Sequence, residues 1–204
     1  MMMRIWISLF VLFALFQTAI AESDLNSAID RADIETLNLL LQIHIATGIG
    51  VNACDPMDPM YESPLHRAVA KGNPEVTHML MGAGADPLAR NRLNQTPLHV
   101  AVRHGHIAVV SVLINYAELK RSDLKYAELE ALDNLNRTPL QLALAQYPPN
   151  WRIVEMLIDA KASPEGALWW LQNTLHHNEN PYDRNILERL TQVILTSYRR
   201  VKKG

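Results

Sequence analysis

Apolar and polar positions along this 204-residue chain follow three patterns. The first is a nearly unbroken apolar run, IWISLFVLFALF at residues 5–16, which Arg4 precedes and Ala19-Ile20-Ala21 closes. The second fills the middle of the chain with short segments such as VTHMLM, VVSVLI and IVEMLI, whose apolar residues recur three and four positions apart. That spacing puts them on one face of a helix, so the segments predict amphipathic helices rather than strands. The third runs from Tyr182 to Arg200. There Ile186, Leu187, Leu190, Val193, Ile194 and Leu195 form an apolar stripe opposite Arg184, Glu188, Arg189 and Gln192, again at helical period. The expected fold class is all-α.

A positive residue, a short apolar core and a small-x-small ending form the pattern of a secretory signal peptide. The apolar run falls short of the roughly 20 residues that a membrane span requires. Residues 1–21 are therefore expected to be a signal peptide, cleaved after Ala21, which would leave a periplasmic or secreted protein with no stable membrane insertion. Cys54 is the one cysteine, so no internal disulfide can form and stability has to come from packing.

Within the helical part the sequence repeats itself. Ser63-Pro64-Leu65-His66 returns as Thr96-Pro97-Leu98-His99 after 33 residues and as Thr138-Pro139-Leu140-Gln141 after a further 42. Ala68, Ala101 and Ala143 follow in register, and Leu80, Leu113 and Leu157 align within the later apolar runs. A weaker copy lies 40 residues upstream, where Ser23, Leu25, Ala28 and Leu40 stand for Ser63, Leu65, Ala68 and Leu80. Each Ser or Thr is suited to cap a helix by accepting a free backbone N–H, and proline at the first helical position loses no bond. The alanines let neighbouring helices approach closely, and Gly72 and Gly105 supply helix-ending turns.

On the strength of TPLH, the Gly105-His106 turn and GAGADP at 82–87, the chain resembles the ankyrin repeat family over residues 23–164. The resemblance implies a solenoid of about four helix-turn-helix repeats (23–54, 60–88, 93–130 and 135–164) in the segment 22–164. Residues 165–204 are then expected to form C-terminal capping helices, which cover the open end of the stack, and a basic tail. The sequence departs from the family pattern at Gln141, which replaces the motif histidine, and at YPPN (147–150), which replaces a glycine-containing turn. The resemblance also implies that His66 and His99 are structural hydrogen-bonders tying helix starts to neighbouring loops. It implies no catalysis.

Composition and charge narrow the chemistry. A net charge of -2 gives no global attraction to nucleic acid, although residues 22–88 carry ten acidic and three basic side chains and residues 89–204 eleven and fifteen. His99, His104 and His106 lie five and two positions apart, whereas a zinc pair on one helix face needs three or four. Asp55 and Asp58 lack the spacing of a calcium loop, and the chain has no Gly-rich phosphate loop, paired-Cys spacing or Gly-x-Ser-x-Gly elbow. No metal, cofactor or catalytic residue is expected. The basic tail YRRVKKG suits a solvated helix C-terminus.

Two connections between repeats are longer than usual, at 42–62 and 115–137, against 82–95. In ankyrin arrays such connections form projecting fingers, and insertions commonly map to the binding face. Met57, Met60, Tyr61, Tyr116, Arg121 and Tyr126 in these stretches are types that interfaces favour and are the candidate partner-binding residues. The expected function is a non-enzymatic module, monomeric when free, that binds another protein through its finger loops and concave face. In the periplasm such a protein could neutralise a toxic secreted enzyme. The alternatives are a secreted host-directed effector, and an enzyme with a site between the insertion loops and the C-terminal helices.

Overall fold

The computed structural model describes residues 25–48, 50–54, 56–120, 127–146 and 148–163, and in the C-terminal part 166, 167, 169, 185, 188–193 and 196. The described elements are helical. They are α1 (25–31), α2 (Ile34–Thr47), α3 (Pro64–Ala70), α4 (Pro74–Gly82), α5 (Pro97–His104), α6 (Ile107–Lys120), α7 (Pro139–Ala145) and α8 (Trp151–Asp159). They pair as four helical hairpins, with α3, α5 and α7 stacked in one row and α2, α4, α6 and α8 in a second.

The local chemistry of each hairpin is that expected of its motif. The Ser63, Thr96 and Thr138 side chains accept the N–H of His66, His99 and Gln141, and proline occupies the first helical turn each time. The second helices are capped by Asp33, Asn73 and Asn150. Between the helices of a hairpin the chain must turn through positive φ. Gly72 (φ 72°) and Gly105 (φ 73°) do so without a Cβ penalty, whereas Ala32 (φ 51°) does it in the first copy. In the last copy Gln146 Nε2 reaches back to Val102 O and Arg103 O, both at 2.9 Å, and Asn150 starts α8.

Ala68, Ala101 and Ala143 are fully buried between the stacked first helices, with Leu65, Leu98 and Leu140 beside them. Leu80, Leu113 and Leu157 fill the second row. In the first copy Leu40 is only half-buried and Leu37 and Leu41 carry the packing. Leu80 stands on a helix flanked by both α2 and α6, whereas α2 has α4 as its neighbour in the row. Ala167 and Leu190 join the same core, and Arg189 lies over the Trp151 ring at 4.8 Å, so the described C-terminal residues pack onto the α8 end of the stack.

The long connections are shorter than the apolar pattern predicts. Helix α2 takes residues 42–47 before Gly48 (φ 70°) ends it, and α6 continues through Lys120. Tertiary packing favours the second extension: Ala117 is buried, and the Tyr116 hydroxyl donates to Met81 O at 2.6 Å. The expected cap Ser23, together with Arg121 and Tyr126, lies outside the described residues.

Candidate functional site

The three connections end in tips built on one template. Asp58, Asn91 and Asp133 each accept, through Oδ1, the N–H of the residue two positions on, Met60 (2.8 Å), Leu93 (3.0 Å) and Leu135 (2.9 Å). This side-chain turn reverses the chain within a few residues. The residue after each of these then takes positive φ: Tyr61 (51°), Asn94 (55°) and Asn136 (54°). Asparagine tolerates that conformation, but a bulky residue such as tyrosine adopts it only at a cost.

Adjacent tips are joined backbone to backbone. Arg92 N donates to Met60 O and Asn134 N to Leu93 O, each at 3.0 Å. Side chains reinforce the joints: Arg92 Nη1 donates to Pro59 O (2.8 Å), Asn134 Nδ2 to Arg92 O (3.0 Å) and Arg90 Nη1 to Leu132 O (2.8 Å). The tips therefore form a ladder with a fixed rise from one repeat to the next.

Buried imidazoles fix the ladder to the helices. His66 Nε2 lies 2.9 Å from Gln95 O, and His99 Nε2 3.0 Å from Arg137 O. A carbonyl can only accept, so Nε2 carries the proton and Nδ1 is left to accept from the Ser63 or Thr96 hydroxyl, 2.8 and 2.9 Å away. Burial favours the neutral ring and pulls His66 down to about 4, and it lowers His99 in the same direction. In the third tip burial disfavours the Asp133 carboxylate, but hydrogen bonds from Arg137, including Nη2 at 2.8 Å, hold it below the ordinary range. His106 Nε2 donates to Ala70 O at 3.1 Å, and its ring stacks on that of His104. Among the described residues no group of three or more His, Cys, Asp or Glu could hold a metal ion.

What the ladder leaves outside is apolar. Met57 is 87% exposed, Tyr61 44%, Leu93 40%, Leu132 45% and Leu135 68%, spread over all three tips. Two of the sequence-predicted residues, Met57 and Tyr61, stand in this row, and Met60 is half-buried in the joint beneath it. Tyr116 is elsewhere, half-buried on α6 with its hydroxyl on Met81 O. Leu93 stands in the short 82–95 connection, outside the two long ones, and Leu132 and Leu135 stand within 115–137 but are not of the Tyr, Met or Arg types that single out candidates there. The signal is nonetheless present: Met60, Leu93 and Leu135 are separated by the same 33 and 42 residues as the capping motifs.

Two carboxyls sit unusually beside the ladder. Glu128, in a short helical turn at 127–129, is buried with Oε1 unpartnered, and burial, with Asp86 adding, pushes its pKa up to about 8. Half-buried Glu62 is raised by burial and by Asp58.

Residues 25–123 and 65–167 match the family model for Ankyrin repeats (3 copies). Among curated proteins the chain is similar to NF-kappa-B inhibitor alpha of Homo sapiens, 44% identical over 54 residues, which is 26% of this chain and 17% of that protein. It is 31% identical over 88 residues to B-cell lymphoma 3 protein homolog of Mus musculus, covering 43% of this chain and 20% of the relative. It is 38% identical over 93 residues to Probable E3 ubiquitin-protein ligase XBOS33 of Oryza sativa subsp. japonica, covering 43% and 18%. The chain thus spans between 17% and 20% of the length of these relatives.

Proposed function

The chain belongs to the ankyrin repeat family, and we propose that it is an exported, non-enzymatic binding protein whose fingertip row engages a partner protein. Ankyrin repeats form a protein–protein interaction module. The observation that carries the finer reading is the exposed apolar row, Met57, Tyr61, Leu93, Leu132 and Leu135. Exposed apolar side chains grouped along one edge are what a binding surface presents. Here they are mounted on a hydrogen-bonded ladder, so little ordering entropy is lost on binding.

The signal-like residues 1–21 support a partner in the periplasm or beyond it. A module of this kind acts by occupying a surface. In that compartment the reading extends to neutralising a toxic secreted enzyme by covering the part it works with.

Photo-crosslinking tests this. A photoreactive residue at Tyr61 or Leu93 is expected to capture a discrete partner, whereas one at exposed His78 on α4 captures none. Equal capture from His78, or none from the tips in cells that export the protein, would sink the proposal. Sequencing the exported chain reads the location, with Glu22 expected at its start.

A further inference from the structure

The apolar row carries two positive charges that the ladder fixes in place without a carboxylate. Arg90 and Arg92 are both exposed on the middle tip. Arg92 Nη1 donates to Pro59 O of the first tip, and Arg90 Nη1 to Asn94 O of its own tip and to Leu132 O of the third, all at 2.8 Å. These acceptors are backbone carbonyls, which orient a guanidinium but do not neutralise it. Arginines elsewhere are treated differently. Arg67 reaches Asp30 at 2.9 Å and Asp58 at 3.5 Å, Arg137 reaches Asp133 at 2.8 Å, and Arg152 reaches Glu155 at 3.7 Å. Among the described residues no carboxylate comes within ion-pair distance of Arg90 or Arg92.

The acids of the tips are committed inward. Asp58 accepts Met60 N and pairs with Arg67, and Asp133 accepts Leu135 N and pairs with Arg137. Each free charge also has an apolar neighbour in the row: Leu93 follows Arg92 in the chain, and Leu132 supplies the carbonyl that Arg90 holds. A guanidinium already anchored through one nitrogen loses little freedom when its remaining N–H groups take a carboxylate as a fork. Leucines beside it strengthen the pair by displacing water.

We propose that the row takes an acidic partner surface, whose Asp or Glu carboxylates pair with Arg90 and Arg92 while its apolar side chains cover Leu93 and Leu132. This rests on the reading of the row as a binding surface and names the chemistry of what it binds. A second copy set row to row brings the same patch to both sides of a two-fold axis, and so arginine against arginine, which like-charge repulsion opposes. The chain's own end, YRRVKKG, is basic as well. Nucleic acid calls for a broad basic stripe, whereas these two guanidiniums stand among leucines.

The test titrates the folded chain, labelled with nitrogen-15, with synthetic peptides of one length and one leucine content whose polar residues are glutamate, glutamine or lysine, and with a single-stranded oligonucleotide. The glutamate peptide is expected to shift the amides of residues 90–94 and the side-chain Nε–H signals of Arg90 and Arg92 saturably. It should bind about tenfold more tightly than the glutamine peptide, and the preference should shrink at ~1 M salt, where charges are screened beyond about 3 Å. A chain with both Arg90→Gln and Arg92→Gln that keeps its helical circular dichroism should lose the preference. Equal binding of the glutamate and glutamine peptides, unmoved Nε–H signals, a preference that survives in the double variant or at high salt, tighter binding of the oligonucleotide, or a dimer of the parent that the double variant lacks would each overturn the inference. If photoreactive Tyr61 or Leu93 positions capture a partner equally in the parent and in the double variant, the charge preference falls and the binding function stands.

Discussion

Gln141 Nε2 donates to Gly166 O at 3.0 Å, so an amide closes the last repeat with the bond that His66 and His99 make in the earlier ones. Its Oε1 accepts Thr138 N at 2.9 Å, completing the capping box. Glutamine offers one donor and one acceptor across its end, as a neutral imidazole does, but does not titrate. Gln141→Ala is expected to cost about 1–2 kcal/mol by removing two part-buried hydrogen bonds, those to Thr138 N and Gly166 O. Gln141→His should restore most of it, as read by chemical denaturation.

The histidine links make stability depend on acid. His66 is depressed from 6.5 to about 4 in the folded chain, so the fold holds the neutral ring. The stabilisation is whole above 6.5 and drains away as pH falls towards 4. The loss reaches ~3 kcal/mol, since each tenfold change in proton affinity is worth about 1.4 kcal/mol. His66→Gln, copying the solution at position 141, should flatten the denaturation midpoint between these pH values. An unchanged slope would mean that His66 does not govern it.

Glu128 acts with the opposite sign. Its folded pKa is raised from 4.5 to about 8, so its contribution is whole below 4.5 and is lost as pH rises to 8, on the order of 5 kcal/mol in all. Glu128→Gln keeps the shape and cannot ionise. The variant is expected to be more stable than the parent at pH 8 and to differ little at pH 5.

Gly72 and Gly84 share positive φ (72° and 93°) but not surroundings. A Cβ at Gly72 would lie 2.7 Å from the His106 ring, whereas at Gly84 nothing is within 4 Å. Gly84→Ala should cost roughly 1–2 kcal/mol, the backbone penalty alone. Gly72→Ala should cost clearly more and also disturb the bond from His106 to Ala70 O, visible as a changed His106 ring resonance.

Tyr61 holds the φ that Asn94 and Asn136 hold in the other tips. Tyr61→Asn is expected to raise stability by about 0.5–1 kcal/mol through relief of that strain and to weaken partner capture. Improved stability with undiminished capture would remove Tyr61 from the interface.

Much of the architecture was legible from residue order because it is locally encoded. A Ser or Thr cap followed by proline starts a helix whatever surrounds it, and Gly72 and Gly105 permit the turns that end one. The recurrence of Ser63, Thr96 and Thr138 fixes the repeat, and a repeat of amphipathic hairpins has one economical way to bury its faces, by stacking. The end of α6 was not a local matter, unlike that of α2, which Gly48 closes: α6 runs on because Tyr116 finds Met81 O and Ala117 finds the core, both across the chain. Gln141 reads as a departure because residue type alone does not reveal that Gly166 O waits at hydrogen-bond distance. The binding row has the same character. Met57, Tyr61, Leu93, Leu132 and Leu135 are distant in sequence, and their shared exposure depends on Arg92 N reaching Met60 O and Asn134 N reaching Leu93 O. Sequence determined which residues start, end and pack each hairpin. Tertiary structure decided which apolar side chains remained outside, because burial is a property of the neighbours that the stack supplies.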